Sequence, residues 1–270
     1  MRWLVTCLLA ALAASGAPAV ARAQAGRPDL GDYAVLGLEG VTLGERVRID
    51  GGDVGANRGE ARLESRVRVG GAVAATTIRL GRKADAEALF CFILVGRPTF
   101  TCTAFQAPLV DTSSLPLVQA RPGAMDLELP PRATTAPLPA DDYGAVRVGA
   151  RAQLLLAGGD YNLRRLTLAH RSRLLCAAPC RLRVQEKVTV GQQAQIGPAA
   201  STDGQAVLLE IEGRAGRTGF VTRARAAVTG TVYAPENAIV LGERGKFAGS
   251  FAGSTVTVRS HARITGPRGS

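Results

Sequence analysis

The sequence has few of the side chains on which most catalytic and sugar-binding sites depend. It contains one tryptophan, Trp3, and two histidines, His170 and His261. Both histidines follow a short apolar stretch at a chain corner, where a solvent-facing polar residue is expected. The Gly-x-Ser-x-Gly motif of serine hydrolases is also missing, since Gly249-Ser-Phe-Ala-Gly253 has its serine one position early. Histidine triads and tryptophan stacking platforms are therefore not predicted.

The sequence has no apolar run long enough to cross a bilayer, which needs about 20 residues. The longest run, residues 4–14, follows Arg2 and precedes a small-x-small site at Ala21-Arg22-Ala23. This order is typical of a secretory signal peptide, which we assign to residues 1–23. We expect export to the periplasm, the cell surface or the medium, with no integral membrane segment after cleavage.

Acidic residues are outnumbered, at 22 against 33 lysines and arginines, giving a formal charge of +11. The leader holds Arg2 and Arg22 and no acid, so the remainder carries 11 − 2 = +9. Such a charge is compatible with a solvated basic surface or with attraction to anionic envelope polysaccharide or lipid. No base-stacking motif accompanies it, so nucleic acid is not an expected partner.

Four cysteines remain beyond the leader: Cys91, Cys102, Cys176 and Cys180. The first two bracket an apolar run with a Gly-Arg-Pro centre, which predicts a β-hairpin closed by a disulfide. The second two bracket Ala-Ala-Pro, a tight turn. We expect both local pairs in an oxidising compartment, although four cysteines allow three connectivities. A zinc site is disfavoured because the spacing is not Cys-x-x-Cys and histidines are scarce.

Helix-forming composition is confined to residues 83–89, and a repeat organises the rest. Each copy reads apolar-x-apolar, a small or glycine corner, two or three polar residues, then apolar-x-apolar. Corresponding apolar positions recur after 17 to 22 residues, for example from Leu43 to Leu63 and from Val148 to Leu168. Strands this short bury a core only when successive coils stack, as in a solenoid. We expect glycine at corners that need unusual dihedral angles.

The predicted fold is therefore all-β: a single-stranded parallel β-helix, or β-solenoid, with a disulfide-closed hairpin and a proline-rich extended segment. Residues 24–106 form an N-terminal β-helix block and residues 143–270 a C-terminal block. Between them, residues 107–142 hold seven of the 14 prolines. Because proline blocks ladder hydrogen bonds, we interpret this part as an extended segment along the solenoid or a linker between the blocks.

Several segments carry a resemblance to a known class of proteins. They are VLGLEGVTLGERVRIDGGDVGAN, PGAMDLELPP, Gly159-Asp160-Tyr161 after an apolar strand, and the sequence from Tyr233 to Gly253. In this order they resemble bacterial surface and pilus-associated β-helix domains of the bactofilin or polymer-forming type. The resemblance implies a scaffolding or surface role without catalysis, with the protein itself or appendage components as partners. The leader, the cysteines and the proline-rich segment depart from true bactofilins.

Three functional hypotheses remain open at this stage. The first is an exported, non-catalytic scaffold without a cofactor or metal, which assembles through open coils, notably the last coil near Ile264. The second is a polysaccharide lyase or hydrolase, for which Asp50 and Asp53 in RIDGGDVGAN are the available acids. The same acids are also typical of a turn. The third is a module that binds anionic glycans.

Overall fold

The computed structural model describes residues 32–96, 100–104, 108–199 and 207–267. These residues form a parallel β-solenoid of about 11 turns, which confirms the predicted fold class. The proposed signal peptide lies outside the described residues. The strands are β1 (Tyr33–Leu43), β2 (Arg48–Asp50), β3 (Asp53–Leu63), β4 (Arg68–Leu80), β5 (Asp85–Phe90), β6 (Ile93–Val95), β7 (Leu127–Leu129), β8 (Asp142–Val148), β9 (Gln153–Leu156), β10 (Gly159–Leu168), β11 (Arg173–Cys176), β12 (Cys180–Val190), β13 (Gln195–Pro198), β14 (Val207–Ile211), β15 (Thr218–Thr222), β16 (Ala227–Thr229), β17 (Thr231–Ala234), β18 (Ala238–Leu241), β19 (Lys246–Ala248), β20 (Phe251–Val258) and β21 (Arg263–Thr265).

Each full coil has three straight segments separated by corners. In the first coil, β1 supplies two of them, with a register shift between Gly37 and Gly40, and β2 supplies the third. We call these segments faces 1, 2 and 3 in chain order. Within the described residues, helix is limited to short 3₁₀ turns such as Thr112–Ser114. The stretch 83–89, whose composition favours helix, instead contributes β5, because pairing with β4 overrides local propensity.

The interior is a column of aliphatic side chains stacked one coil upon the next. Leu43 pairs with Leu63 of the following coil, and Leu63 pairs with Leu80. Each of the three is at most 5% exposed. A buried aliphatic side chain contributes about 1.5–3 kcal/mol, so the repeating inward positions supply most of the stability of the fold.

The coils are not stacked in chain order. Along face 2 the strands follow one another as β6, β4, β3, β1, β20, β18, β15, β12, β10, β8 and β7. The chain therefore begins in the middle of the solenoid, winds to one end, crosses to the other end and winds back. The first and last coils meet at a joint that we call the seam.

The seam is an ordinary parallel pairing made by distant parts of the sequence. Val41 pairs with Val256, and Ile49 pairs with Ile264. The expectation of an open last coil near Ile264 was therefore wrong: Ile264 is buried beneath the first coil. A repeat pattern shows which side chains face inward, but it does not show which coil lies on which.

Residues 108–123, which we call the strap, run outside the solenoid along face 1. Asn57 binds both backbone groups of Val110, donating to its carbonyl at 2.9 Å and accepting from its N–H at 2.7 Å. Farther along, Tyr233 donates to the carbonyl of Pro116. Leu109 and Val110 pack on outward-facing apolar side chains of face 1. This part of the proline-rich segment is therefore an extended segment that spans the seam from one side to the other.

Both local disulfides are present, Cys91–Cys102 and Cys176–Cys180. The second pair closes a corner between faces 3 and 1. Directly outside the first pair, Phe90 and Thr103 form a parallel bridge. The chain on the two sides of this disulfide therefore runs in parallel, as in successive coils, and not antiparallel as in a hairpin.

Candidate functional site

One corner, between faces 2 and 3, has the same unusual geometry in ten of the described coils. Its third residue has a positive φ of 54° to 64° although it is not glycine in any of ten coils. These ten residues account for all the positive-φ positions among the described non-glycine residues. They are Arg46, Arg66, Lys83, Arg132, Arg151, Arg171, Gln193, Arg225, Arg244 and His261.

The ten residues lie directly above one another. The N–H groups of nine of them donate to the carbonyl of the second corner residue in the next coil, as from Arg151 to His170 at 2.9 Å. The series continues across the seam, where His261 donates to Glu45 at 2.8 Å. We call this row the corner column. At about 4.8 Å per coil it extends for roughly 43 Å along one edge of the solenoid.

The composition of the corner column is not explained by its backbone. Eight of its ten residues are arginine or lysine, whereas the whole chain holds 33 in 270, which predicts about one. Left-handed dihedral angles exclude β-branched residues but suit glycine, asparagine and aspartate best. Each non-glycine residue there costs about 1–2 kcal/mol of strain. The repetition of a cationic side chain is therefore better explained by what contacts the outer surface of the coil than by the backbone.

Glycine occupies a different position in the same corner, for a steric reason. A Cβ on Gly44 would lie 2.8 Å from the backbone nitrogen of Ser260, and one on Gly81 would lie 2.6 Å from the carbonyl carbon of Glu64. Glycine is thus placed where neighbouring coils approach closely. At this corner, the expectation that glycine supplies the unusual dihedral angles was wrong; glycines such as Gly51 and Gly52 do supply them between faces 3 and 1.

The corner column is exposed and mostly free of acidic neighbours. All its members are exposed except Gln193, which is half-buried. Arg46 and Arg244 each lie 3.5 Å from the glutamate that precedes them. For the other arginines and the lysine of the column, no ion pair occurs within the described residues. Their charge is therefore available to an external anion.

A second basic row flanks the column on face 3 beside the seam. Arg263 pairs with both Lys246 and Arg48, and Arg48 pairs with Arg68, so the four occupy successive rungs. With the adjacent corner residues they make a two-column patch that we call the junction block. Its members are Arg244, Lys246, His261, Arg263, Arg46, Arg48, Arg66 and Arg68. Seven cations against Glu243, Glu45 and Asp50 leave 7 − 3 = +4 with histidine neutral.

Asp50 and Asp53, the acids of the enzyme hypothesis, flank the Gly51–Gly52 corner and both have protein partners. Arg263 donates from Nε to Oδ2 of Asp50 at 2.6 Å. Oδ1 of Asp53 accepts from the N–H of Ala72 at 2.8 Å. Burial raises the pKa of Asp53, and the Ala72 hydrogen bond opposes the rise.

Other places for chemistry are few among the described residues. Within the described part of the chain, no three residues of the histidine, cysteine, aspartate and glutamate types come together as metal ligands. The inner column contains a void of about 10 Å³ beside Leu154 and Leu166, at the lower limit of the space that one water needs. A surface groove of about 770 Å³ lies beside Arg165, Lys187 and Arg214. It contains the Arg165–Glu186 ion pair. No helix in the described ranges has the length and apolar character of a membrane span.

No protein-family model, curated protein or solved structure matches the chain. The resemblance to surface and bactofilin-like β-helix domains stays a prediction from the residues. The fold and the corner column define the class: a β-solenoid with a cationic edge, in which eight of ten stacked corner residues are arginine or lysine.

Sequence reasoning missed the corner column, although its signal was present. Arginine recurs at the third corner position after 19 or 20 residues in consecutive coils, as from Arg46 to Arg66 and from Arg132 to Arg151. Attention to the apolar repeat concealed a polar repeat of the same period. Aligning the copies by their corners would have revealed it.

Proposed function

We propose that the chain is an exported, non-catalytic structural protein that presents a rigid basic edge to anionic polysaccharide of the cell envelope. The observation that carries the proposal is the corner column, with eight cations on ten stacked rungs. The proposal assigns no cofactor, metal or catalytic residue to the chain.

The geometry of the column favours a linear polymer over a small anion. A pyranose unit is about as long as the rung spacing of about 4.8 Å, so successive sugar charges fall near successive guanidinium groups. Each exposed contact is worth about 0–1 kcal/mol, but a row of contacts on one molecule acts together. Guanidinium groups also match carboxylates and sulfates with two parallel hydrogen bonds.

Rigidity supports the structural part of the proposal. Ladder hydrogen bonds connect every coil to the next, and the two disulfides close loops at separate places in the solenoid. Disulfides are typical of proteins that fold outside the cytoplasm, which agrees with the proposed leader. A stiff support keeps the cationic groups in register without further ordering when the polymer binds.

The seam limits self-assembly to the two open ends of the solenoid. The last coil is covered, so any end-to-end contact would use the coils that contain β6 or β7. The coil that contains β7 also contains Pro130, Pro131, Pro137 and Pro139, which lack the N–H groups that an added strand would need. Light scattering over a wide concentration range tests assembly; a monomer throughout would remove it from the proposal.

Binding is tested with polygalacturonate and with neutral dextran as the control polymer. The triple variant R66Q/R151Q/R225Q removes three unpaired column charges and should weaken polygalacturonate binding about fourfold at low salt. The matched variant R62Q/R79Q/R165Q also removes three charges, each from a glutamate ion pair outside the column, and should weaken binding less than about twofold. Equal losses would mean that net charge alone attracts the polymer.

The enzyme hypothesis is tested by incubating the same polymers with the protein, with and without calcium, and measuring the length of the polymer chains. The proposal predicts no shortening. Shortening that disappears in Asp50→Asn and Asp53→Asn would replace the proposal with a polysaccharide-active enzyme.

A further inference from the structure

The basic edge is densest where the two ends of the solenoid chain meet. In the junction block, face 3 adds a second row beside the corner column on four successive rungs. Elsewhere the face 3 row is interrupted by neutral residues, including Gln153, Gln195 and Ala227. The block is therefore the only stretch among the described coils in which the face 3 row is basic on four successive rungs, beside three arginines and His261 of the corner column.

The seam runs through the centre of the junction block. Arg244, Lys246 and Arg263 belong to coils at the C-terminal side, and Arg46 and Arg48 belong to the first coil. The two sides are joined by backbone hydrogen bonds, from Gly44 to Val258, from His261 to Glu45 and from Arg48 to Ala262. Neither half of the block alone presents four rungs, so this surface exists only when the seam is closed.

We infer that the junction block is the primary binding site for a carboxylate- or sulfate-bearing linear polysaccharide, an inference that rests on the proposed function. The bound polymer then holds the seam closed. Four rungs span about 14 Å, enough for about three consecutive sugar units. A polymer along this edge contacts residues of both sides at once. Because it binds the closed form and not the opened form, it shifts the opening equilibrium toward closure.

The chemistry of the block favours polysaccharide over nucleic acid. Strands of nucleic acid bind where aromatic side chains stack the bases between phosphate contacts. The corner column and the flanking row contain no aromatic residue other than His261, and that imidazole accepts a hydrogen bond from Nη1 of Arg46. What the block offers is a row of guanidinium donors spaced along a straight edge.

The first measurement compares two triple variants of equal charge change. R48Q/R68Q/R263Q removes three charges of the junction block, and R132Q/R151Q/R171Q removes three from the distant part of the corner column. All six side chains are exposed, so both variants should keep the fold, as circular dichroism and the midpoint of thermal unfolding would show. Binding to polygalacturonate and to dextran sulfate should weaken about tenfold in the first variant and less than about threefold in the second.

The second measurement is hydrogen exchange with and without the polymer. The seam amides of Gly44, Arg48 and His261 should exchange at least about fivefold more slowly when polygalacturonate is bound. The equivalent amides of Arg151 and Arg171, between coils that are consecutive in the chain, should change less than about twofold.

The outcomes separate this inference from the proposed function. Equal weakening in both triple variants, with no selective slowing at the seam, would overturn the inference and leave a uniform basic edge. No weakening in either variant would overturn both. Single-stranded DNA that binds the block as tightly as the two polysaccharides would overturn the assignment of polymer class.

Discussion

The seam and the joints between consecutive coils have the same structure but a different origin. At the seam, Val41 and Leu43 pair with Val256 and Val258, 215 residues away. On its other side, β1 pairs with β3, and Val41 meets Ala61, only 20 residues away. Direction, register and inward stacking are equivalent in the two joints. A solenoid joint therefore requires matching strand edges and side chains, not a continuous chain.

The difference lies in the entropy of bringing the strands together. Loop-closure entropy grows as (3/2)RT ln n, so closing 215 residues instead of 20 costs about 2 kcal/mol more in an unfolded chain. The strap offsets part of this cost, since it contacts Asn57 on one side of the seam and Tyr233 on the other. We therefore expect the seam to form late in folding and to open first.

The largest effect is expected from removing a core ring at the seam. Phe251 is fully buried, pairs with Val35 across the seam and contacts Phe247 with ring centroids 5.8 Å apart. Phe251→Ala should lower the free energy of unfolding by about 3–5 kcal/mol, as large core truncations do. Denaturant titration gives this value from the shift of the midpoint.

Phe220→Ala is the matched control, because Phe220 is equally buried between two coils that do not touch the seam. The two losses should agree within about 1 kcal/mol. A loss below about 1 kcal/mol for Phe251→Ala, with a full loss for Phe220→Ala, would show that the seam is open in solution.

The second prediction makes the seam covalent. In a permuted chain, residues 124–267 come first, a short glycine-rich linker follows, and residues 33–104 come last without the strap. Gly266 already lies close to Ala34, so a short linker suffices. The coils would then follow one another in spatial order.

This permuted protein should still fold into the same solenoid. It loses the burial of Leu109 and Val110 and the strap hydrogen bonds, but it regains about 2 kcal/mol of loop entropy. The net loss of stability should be about 3 kcal/mol. Circular dichroism and hydrogen exchange at Gly44 and Arg48 measure the outcome. A permuted chain without protected seam amides would mean that the strap, and not the stacking, holds the two sides together.

The sequence predicted the features that depend on neighbouring residues. Alternation within each strand identified inward positions such as Leu43 and Leu63, and spacing identified both disulfides. The seam was not predictable in this way, because Ile264 has the same local pattern whether its coil is covered or open. The corner column was accessible in principle, since the third corner residue repeats, but its left-handed backbone would ordinarily suggest glycine.

The third prediction concerns the strap that spans the seam. Asn57 is fully buried and makes two hydrogen bonds to the backbone of Val110. Asn57→Ala leaves both groups of Val110 without these partners and should cost about 2 kcal/mol. The neighbouring Arg58→Gln is the control, because the hydrogen bond from Arg58 to Thr112 is exposed, and it should change stability by less than about 0.5 kcal/mol. Equal effects in the two variants would show that the strap is not anchored at Asn57.

The smallest effects are expected at Asp50 and Asp53, which lie on the two sides of one corner. Asp50 faces the seam and binds Arg263, whereas Asp53 faces the next coil and accepts from Ala72. The Asp50–Arg263 pair is largely exposed, so Asp50→Asn should lower stability by less than about 0.5 kcal/mol. Asp53→Asn keeps an acceptor oxygen for Ala72 and removes a carboxylate whose pKa is raised by burial. It should therefore raise stability slightly at neutral pH.

The pH dependence gives the sign of the Asp53 effect. A pKa that is higher in the folded state means that ionisation is less favourable there than in the unfolded chain. The free-energy penalty for ionising Asp53 in the folded state is absent when the pH is below the ordinary pKa of 3.8. It is complete once the pH exceeds the raised pKa of the folded state. The stability advantage of Asp53→Asn over the wild type should thus appear only as the pH rises from the ordinary pKa to the raised pKa of Asp53. Thermal unfolding from acid to neutral pH measures it, with Asp50→Asn as the parallel series. An advantage of Asp53→Asn that persists at the lowest pH would show that it does not come from the carboxylate charge.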